Sequence, residues 1–393
     1  MSKRIIKEAR GIAESAIPYT HAVLDKIKPE LDYFFEHVND PSYLESMEDI
    51  RVDGYAPAPD HVVTLKFPYR TLAKYIDDDI FEDFPIVNLT VEVKFAFVDS
   101  ESPNDDTFSI GGAMWPIHTS ALPTDHIFSS RVKPEKFPAI SKSRRESVDR
   151  GLIGNLEFDL TFYQGFDFTD PPVEFERELN SVVFHEMMHL YEGYKNKKLD
   201  LRVFNKDFKE TGPSKKQRSH QQTAKAYIGD AKFVGIPSEV KQAIQYLTNY
   251  YYMTLPQEVK AITHEMYPYV LDLPIDEFFK TYQGKRIKSL MAFNTEDYME
   301  HLDEEIESYF DRIGKRNVSP EVKNNMLNQL KMRMIAKYRE TANRNHEVID
   351  HKLINQKDLK SLVNYMGKQI NNAGNKLYRN LGRLYSLKMD VNE

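Results

Sequence analysis

The stretch NSVVFHEMMHLYEGYKN, residues 180–196, sets two histidines four residues apart, with a glutamate directly after the first. On a helix, positions i and i+4 lie one turn apart on the same face, so His185 and His189 can aim both imidazoles at one point. Two neutral ring nitrogens at that spacing can share a zinc ion at about 2.0–2.1 Å. Glu186 follows about 100° round the helix. From there it can reach a water on the metal as a base without being a ligand. Val182, Val183, Phe184, Met187, Met188 and Leu190 make the segment apolar nearly all round, as in a buried helix. Buried imidazoles and a buried carboxylate need partners. A metal is the simplest one, and hydrogen-bonded core histidines are the alternative.

Two similar patterns carry less. His346 and His351 are five residues apart, which sets them about 140° from each other on a helix, and His264 is followed by Glu265 but by no second histidine. The chain has no cysteine, so disulfides, thiolate metal sites and a cysteine nucleophile are excluded. Any metal site must be built from His, Asp and Glu.

Working outward, Asp170-Pro171-Pro172 offers an N-cap and starting prolines for a helix to about Asn196. Before it, HVVTLKFPY (61–69), IVNLTVEVKFAFV (86–98) and GNLEFDLTFYQGFDF (154–168) alternate apolar and polar residues and read as strands. SIGGAMWPIHTSALPTD (109–125) is rich in glycine and proline and reads as turns. The first 50 or so residues show helical spacing at Ile5, Ile12, Val23, Ile27, Leu31 and Phe34. After the histidine helix comes a polar insert. A helix is expected from about Ser238 to Met253, then another capped by a Thr254–Gln257 capping box and ended by Pro268. Ser319-Pro320-Glu321 starts a long helix, and Gly367 and Gly374 are expected to interrupt the last ones.

The motif resembles that of the zincin metallopeptidases, over roughly residues 86–269. The metzincin continuation is missing, since Glu192 stands where its glycine belongs and Lys195 where its third histidine belongs. The resemblance is to the gluzincin branch, which takes a glutamate from a later helix. It implies Glu258 as third ligand, with Ala261 allowing close packing on the first helix. Gluzincins of the thermolysin type carry an acidic residue four places after that glutamate. Here that place holds Ile262, while Glu265 lies seven residues on, on the same face, as a candidate to orient a ligand. The resemblance also implies an antiparallel edge strand before the metal helix, the position of residues 154–165, to which an extended peptide can add. For an oxyanion donor, His264 and Tyr251 are the leading candidates, with Tyr250, Tyr252 and Tyr267 beside them.

These readings together predict an α+β protein. Its zincin-like core has an antiparallel or mixed sheet, the HExxH helix and a glutamate-bearing helix, followed by a mostly helical C-terminal region. The expected division is 1–60, an N-terminal helical segment; 61–283, the metallopeptidase domain; and 284–393, a basic helical region. The implied activity is zinc-dependent hydrolysis of peptide bonds in a peptide or protein substrate. Glu186 would be the base, and His185, His189 and Glu258 would hold Zn2+.

Charge supplies the rival. From Asp311 onward 17 Lys+Arg face 8 Asp+Glu, a surplus of +9, which leaves −16 for the first 310 residues. A basic tail on an acidic body suits an assembly partner or simply a solvated helical face. The cysteine-free, Lys-, Asn- and Tyr-rich composition is similar to that of bacteriophage proteins. The alternative function is therefore a virion or assembly protein whose metal site is non-catalytic or acts once. No nucleic-acid-binding motif is present, which speaks against a nucleic-acid partner. No apolar run suits a signal peptide or a membrane span, so the expected location is the cytoplasm or a viral particle. The candidate ligands all precede Asp311, so the basic tail is expected to be dispensable for metal binding.

Overall fold

The computed structural model describes residues 16–47, 70–76, 86–99, 101–102, 107–118, 152–195, 238–312, 314, 319–344 and 350–391. The chain is α+β, mostly helical, and divides into two compact units. Unit 1 comprises Met1–Phe204, Lys260–Leu273 and Arg383–Glu393, and unit 2 comprises Asn205–Val259 and Pro274–Gly382.

Unit 1 holds helix α1 (Ile17–His37), the short α2 (Pro41–Ser46) and four strands, β1 (Arg70–Ile76), β2 (Ile86–Val98), β3 (Phe108–His118) and β4 (Leu152–Tyr163). Helix α3 (Val173–Lys195) follows. The strands form one mixed sheet in the order β1-β2-β4-β3. The inner pair β2/β4 is parallel and both outer pairings are antiparallel. Alternate residues of the inner strands, including Val93, Phe95, Leu156 and Phe158, face Ile27, Leu31 and Phe34 of α1 and Val183 and Met187 of α3. Phe34 stacks on Phe95 at 3.8 Å between ring centroids. Each such side chain contributes about 1.5–3 kcal/mol by leaving water. Ile5 and Ile12 lie outside the described residues, as does the strand expected at 61–69.

Two expectations about the sheet are corrected. Residues 109–118 of the stretch expected to be turns lie in β3, paired with β4 from Phe108↔Phe162 to His118↔Leu152. Proline is tolerated on an edge strand. Gly112 answers a steric demand from α3, because a Cβ there would lie 2.6 Å from Val182 Cγ1. Consequently β4, expected as the edge strand, is interior, and β3 is the edge among the described strands.

Unit 2 is helical. It contains α4 (Ser238–Tyr252), α7 (Ile275–Phe278), α8 (Tyr282–Ala292), α9 (Thr295–Arg312), α10 (Pro320–Arg344) and α11 (His351–Ile354). Helices α5 (Pro256–Glu265) and α12 (Leu359–Val391) run through the division, and α6 (Tyr267–Asp272) belongs to unit 1. Gly367 and Gly374 do not interrupt α12. A Cβ on Gly374 would lie 2.6 Å from the Met291 backbone nitrogen, so the glycine permits close approach at the end of α8. Asn371, one turn away, donates from Nδ2 to the carbonyls of Leu290, Met291 and Phe293 at 3.3, 3.0 and 2.9 Å. These are carbonyls that the end of α8 leaves without helical partners.

The observed division differs from the expected one at residues 60 and 283. Helix α1 completes the core of the sheet, so the N-terminal segment is not separate. The basic region after Asp311 is no appendage either. Leu330, Met334 and Tyr338 of α10 and Leu362, Met366 and Leu377 of α12 are buried.

Candidate metal centre

Helix α3 starts after an Asp167 turn, whose carboxylate accepts from the backbone N–H groups of Thr169 and Asp170. Its faces are used three ways. Val183, Met187 and Leu190 meet the sheet. Met188 packs with Ala261 of α5 and Ala16, all three nearly inaccessible, as the small residue at 261 led one to expect. Ser181 Oγ donates to the Glu265 carbonyl at 3.0 Å and ties α3 to the end of α5. The remaining face carries the histidines.

His185 Nδ1 and Glu265 Oε2 are 2.8 Å apart. An ionised carboxylate only accepts, so Nδ1 donates in this contact, and a neutral ring that donates from Nδ1 has its Nε2 lone pair available. The Nε2 atoms of His185 and His189 are 3.1 Å apart. Two nitrogens about 2.0–2.1 Å from one ion in a tetrahedral set would be about 3.3 Å apart, so the rings already stand at the spacing of paired ligands. Glu258 lies in the first turn of α5 and is 3% exposed. It is carried by the same helix that brings Glu265 to His185. Seven residues make nearly two full turns, so both carboxylates share a face. Donor atoms of His185, His189 and Glu258 lie within 4.8 Å of one another. Two imidazoles and a carboxylate fit zinc, and a ferrous ion by the same count.

Glu186 is 7% exposed and turns toward edge strand β3, where its Cγ and Oε1 would lie 2.9 and 3.2 Å from a Cβ on Gly112. His264 does not join the three donors. It is 2% exposed, its ring lies 4.9 Å from Phe184, and neither ring nitrogen has a hydrogen-bond partner. Burial, with smaller effects of His185 and His21, pushes its pKa down to about 3, so the ring is neutral.

Tyr251 is not brought to the group. Its hydroxyl donates to Asp350 Oδ2 at 2.6 Å, and its ring packs edge-on against Tyr338. The phenol that reaches a candidate ligand is the next one, Tyr252, which donates to Glu258 Oε1 at 2.6 Å. Tyr250 stacks edge-on against Tyr246, and Tyr267 against Phe184 in a tilted contact. The expected capping box at the start of α5 is replaced by a different bond. Thr254 Oγ1 donates to the Tyr251 carbonyl at 2.7 Å and closes the end of α4. Only the three-tyrosine run 250–252 pointed to Tyr252 in the sequence; which hydroxyl faces Glu258 is set by the turn between α4 and α5.

No family model matches the chain, nor does any curated protein or solved structure.

Proposed function

We propose that the chain is a zinc-dependent peptidase with a zincin-like core of the gluzincin type. The observation that carries the reading is the convergence of His185, His189 and Glu258 within 4.8 Å, with Glu265 at 2.8 Å from His185 Nδ1. The order of elements supports it: a mixed sheet with β3 at its edge, the motif helix, then a glutamate-bearing helix. A zinc ion held by the three residues would supply a Lewis acid for a peptide carbonyl and acidify a water.

The chain's own groups supply the rest. The Glu186 carboxylate accepts a proton from the attacking water as its oxygen bonds to the carbonyl carbon. It returns that proton to the amine nitrogen as the C–N bond breaks. Glu265 holds the His185 ring in one tautomer. Edge strand β3, beside Glu186, offers backbone N–H and C=O groups to an extended substrate. Among the described residues no helix is long and apolar enough to cross a membrane.

The test is metal analysis joined to a cleavage assay. The purified chain should hold about one zinc, lose it on His185→Ala or His189→Ala, and hydrolyse members of a mixed peptide pool. A metal-free fresh preparation that cannot be loaded with zinc would end the reading.

A further inference from the structure

We infer that Tyr252 is a positioning residue for the metal centre, acting through Glu258 rather than on substrate. The inference rests on the reading of His185, His189 and Glu258 as metal ligands.

The last residue of α4 is Tyr252, and Glu258 stands at the third position of α5. The connection between them is tight. The Met253 N–H donates to the Asn249 carbonyl, Thr254 N–H to Tyr251 and Leu255 N–H to Tyr252, at 3.2, 2.9 and 3.1 Å. This turn folds the chain back so that a phenol six residues before the carboxylate can reach it. The bond is short, 2.6 Å from Tyr252 Oη to Glu258 Oε1, in the range of a hydroxyl donating to an ionised acceptor.

Glu258 is 3% exposed, so little water is available to orient it. A carboxylate presents its oxygens to the histidines in only some rotations, and the phenol favours some of them. It uses one lone pair of about four. Glu265 plays the matching part for His185. Tyr252, at the end of α4, and Glu265, at the end of α5, therefore hold two of the three donors in place. Outer partners of this kind typically change metal affinity by about 10–100-fold when removed.

The control, Tyr298 on α9, bonds to the same helix α4. Tyr298 Oη donates to the Ala243 carbonyl of α4 at 2.9 Å and is buried, yet touches no candidate ligand. Tyr252→Phe and Tyr298→Phe each delete one hydroxyl that bonds within unit 2. The experiment is competition of the purified full-length chain with a chromophoric chelator for Zn2+, with circular dichroism on each variant. Tyr252→Phe should weaken zinc binding about 10–100-fold while remaining folded, and Tyr298→Phe should bind as wild type.

Wild-type affinity in folded Tyr252→Phe would overturn the inference and leave the metal-centre reading standing. So would an affinity unchanged with turnover reduced, since the phenol would then act on substrate. If the wild type itself takes up no zinc, both fall together. If Tyr252→Phe melts too low for titration, the zinc-induced rise in Tm, compared with that of Tyr298→Phe, reads the same affinity. Failure of Tyr252→Phe to fold even with zinc, where Tyr298→Phe folds, would assign the hydroxyl to stability and sink the inference.

Discussion

Glu265 and His185 meet at 2.8 Å between Oε2 and Nδ1, and this single bond decides which nitrogen of the ring is left for a metal. Glu265 is 4% exposed, so water offers the imidazole little competition. Glutamine at 265 could present an N–H instead of an oxygen and favour the other tautomer. Glu265→Gln should therefore weaken zinc binding about 10–100-fold without removing a ligand. Chelator competition checks this, and an affinity equal to wild type would show that the ring orients itself.

What the sequence made legible here was local. His185 and His189 follow from a four-residue spacing, Glu258 from the resemblance to gluzincins, and Glu265 from lying seven residues after it. The spacings are statements about one helix each, and helix geometry is the same wherever the helix sits. What stayed hidden was set by distant neighbours. Gly111, Gly112 and Pro116 read locally as turn residues, but their backbone pairs with β4, a strand that starts 34 residues after β3 ends. Gly374 reads as a helix breaker, yet the reason for it is the end of α8. The partner of the Tyr251 hydroxyl is Asp350, 99 residues away.

Gly112 and Gly111 form a matched pair. A Cβ on Gly112 would meet Val182 Cγ1 at 2.6 Å and Glu186 Cγ at 2.9 Å, whereas one on Gly111 would meet nothing nearer than Asp159 Cβ at 3.8 Å. Gly112→Ala should cost about 1–3 kcal/mol by overpacking and push Glu186 off its place, with zinc retained. Turnover should fall up to about 100-fold, the order expected when a catalytic group is misplaced by an ångström. Gly111→Ala should be near neutral in both. Thermal melts, zinc stoichiometry and kcat separate the two variants, and equal behaviour would mean that α3 does not bear on β3 as described.

Asp350 links pH to the stability of unit 2. Its burial pushes the carboxyl up. Hydrogen bonds from Tyr251, Tyr365 and the Lys352 and Leu353 N–H groups more than offset this, and hold it below its ordinary 3.8. A carboxyl lowered in the folded state stabilises above its unfolded value and stops doing so as the pH falls through the folded one. Asp350→Asn should therefore be less stable than wild type near neutral pH, and the gap should close as the pH drops below about 4. Denaturant titrations across that range read it. A gap independent of pH would assign the loss to packing.

The tail after Asp311 was expected to be dispensable for metal binding, and its burial changes that expectation. Tyr338 packs on Tyr251, and Asp350 accepts from it. Tyr251 is the neighbour of Tyr252 on α4. A chain ending near Gly314 should lose the helical signal and cooperative melting of unit 2, beyond the share of the residues removed. A truncated chain that melts cooperatively and binds zinc with wild-type affinity would show that α4 holds its place without them.

Glu186→Gln separates an enzyme from an assembly protein with a metal site. Glutamine keeps the size of the side chain and loses its basicity, so the packing against Val182 and Gly112 should survive. Glu186 lies on α3 beside His185 but outside the three-donor group, so zinc affinity should barely change. Proton transfer by a positioned base commonly contributes about 10²–10⁴-fold, and hydrolysis of a mixed peptide pool should fall by that order. Loss of cleavage with zinc retained is the signature of a general base and would leave the assembly reading with no account of the carboxylate. If the wild type cleaves nothing across such a pool, and Glu186→Gln has the same zinc content, stability and oligomeric state, the carboxylate is a packing residue. The metal would then be structural, and the peptidase reading would give way to the assembly one.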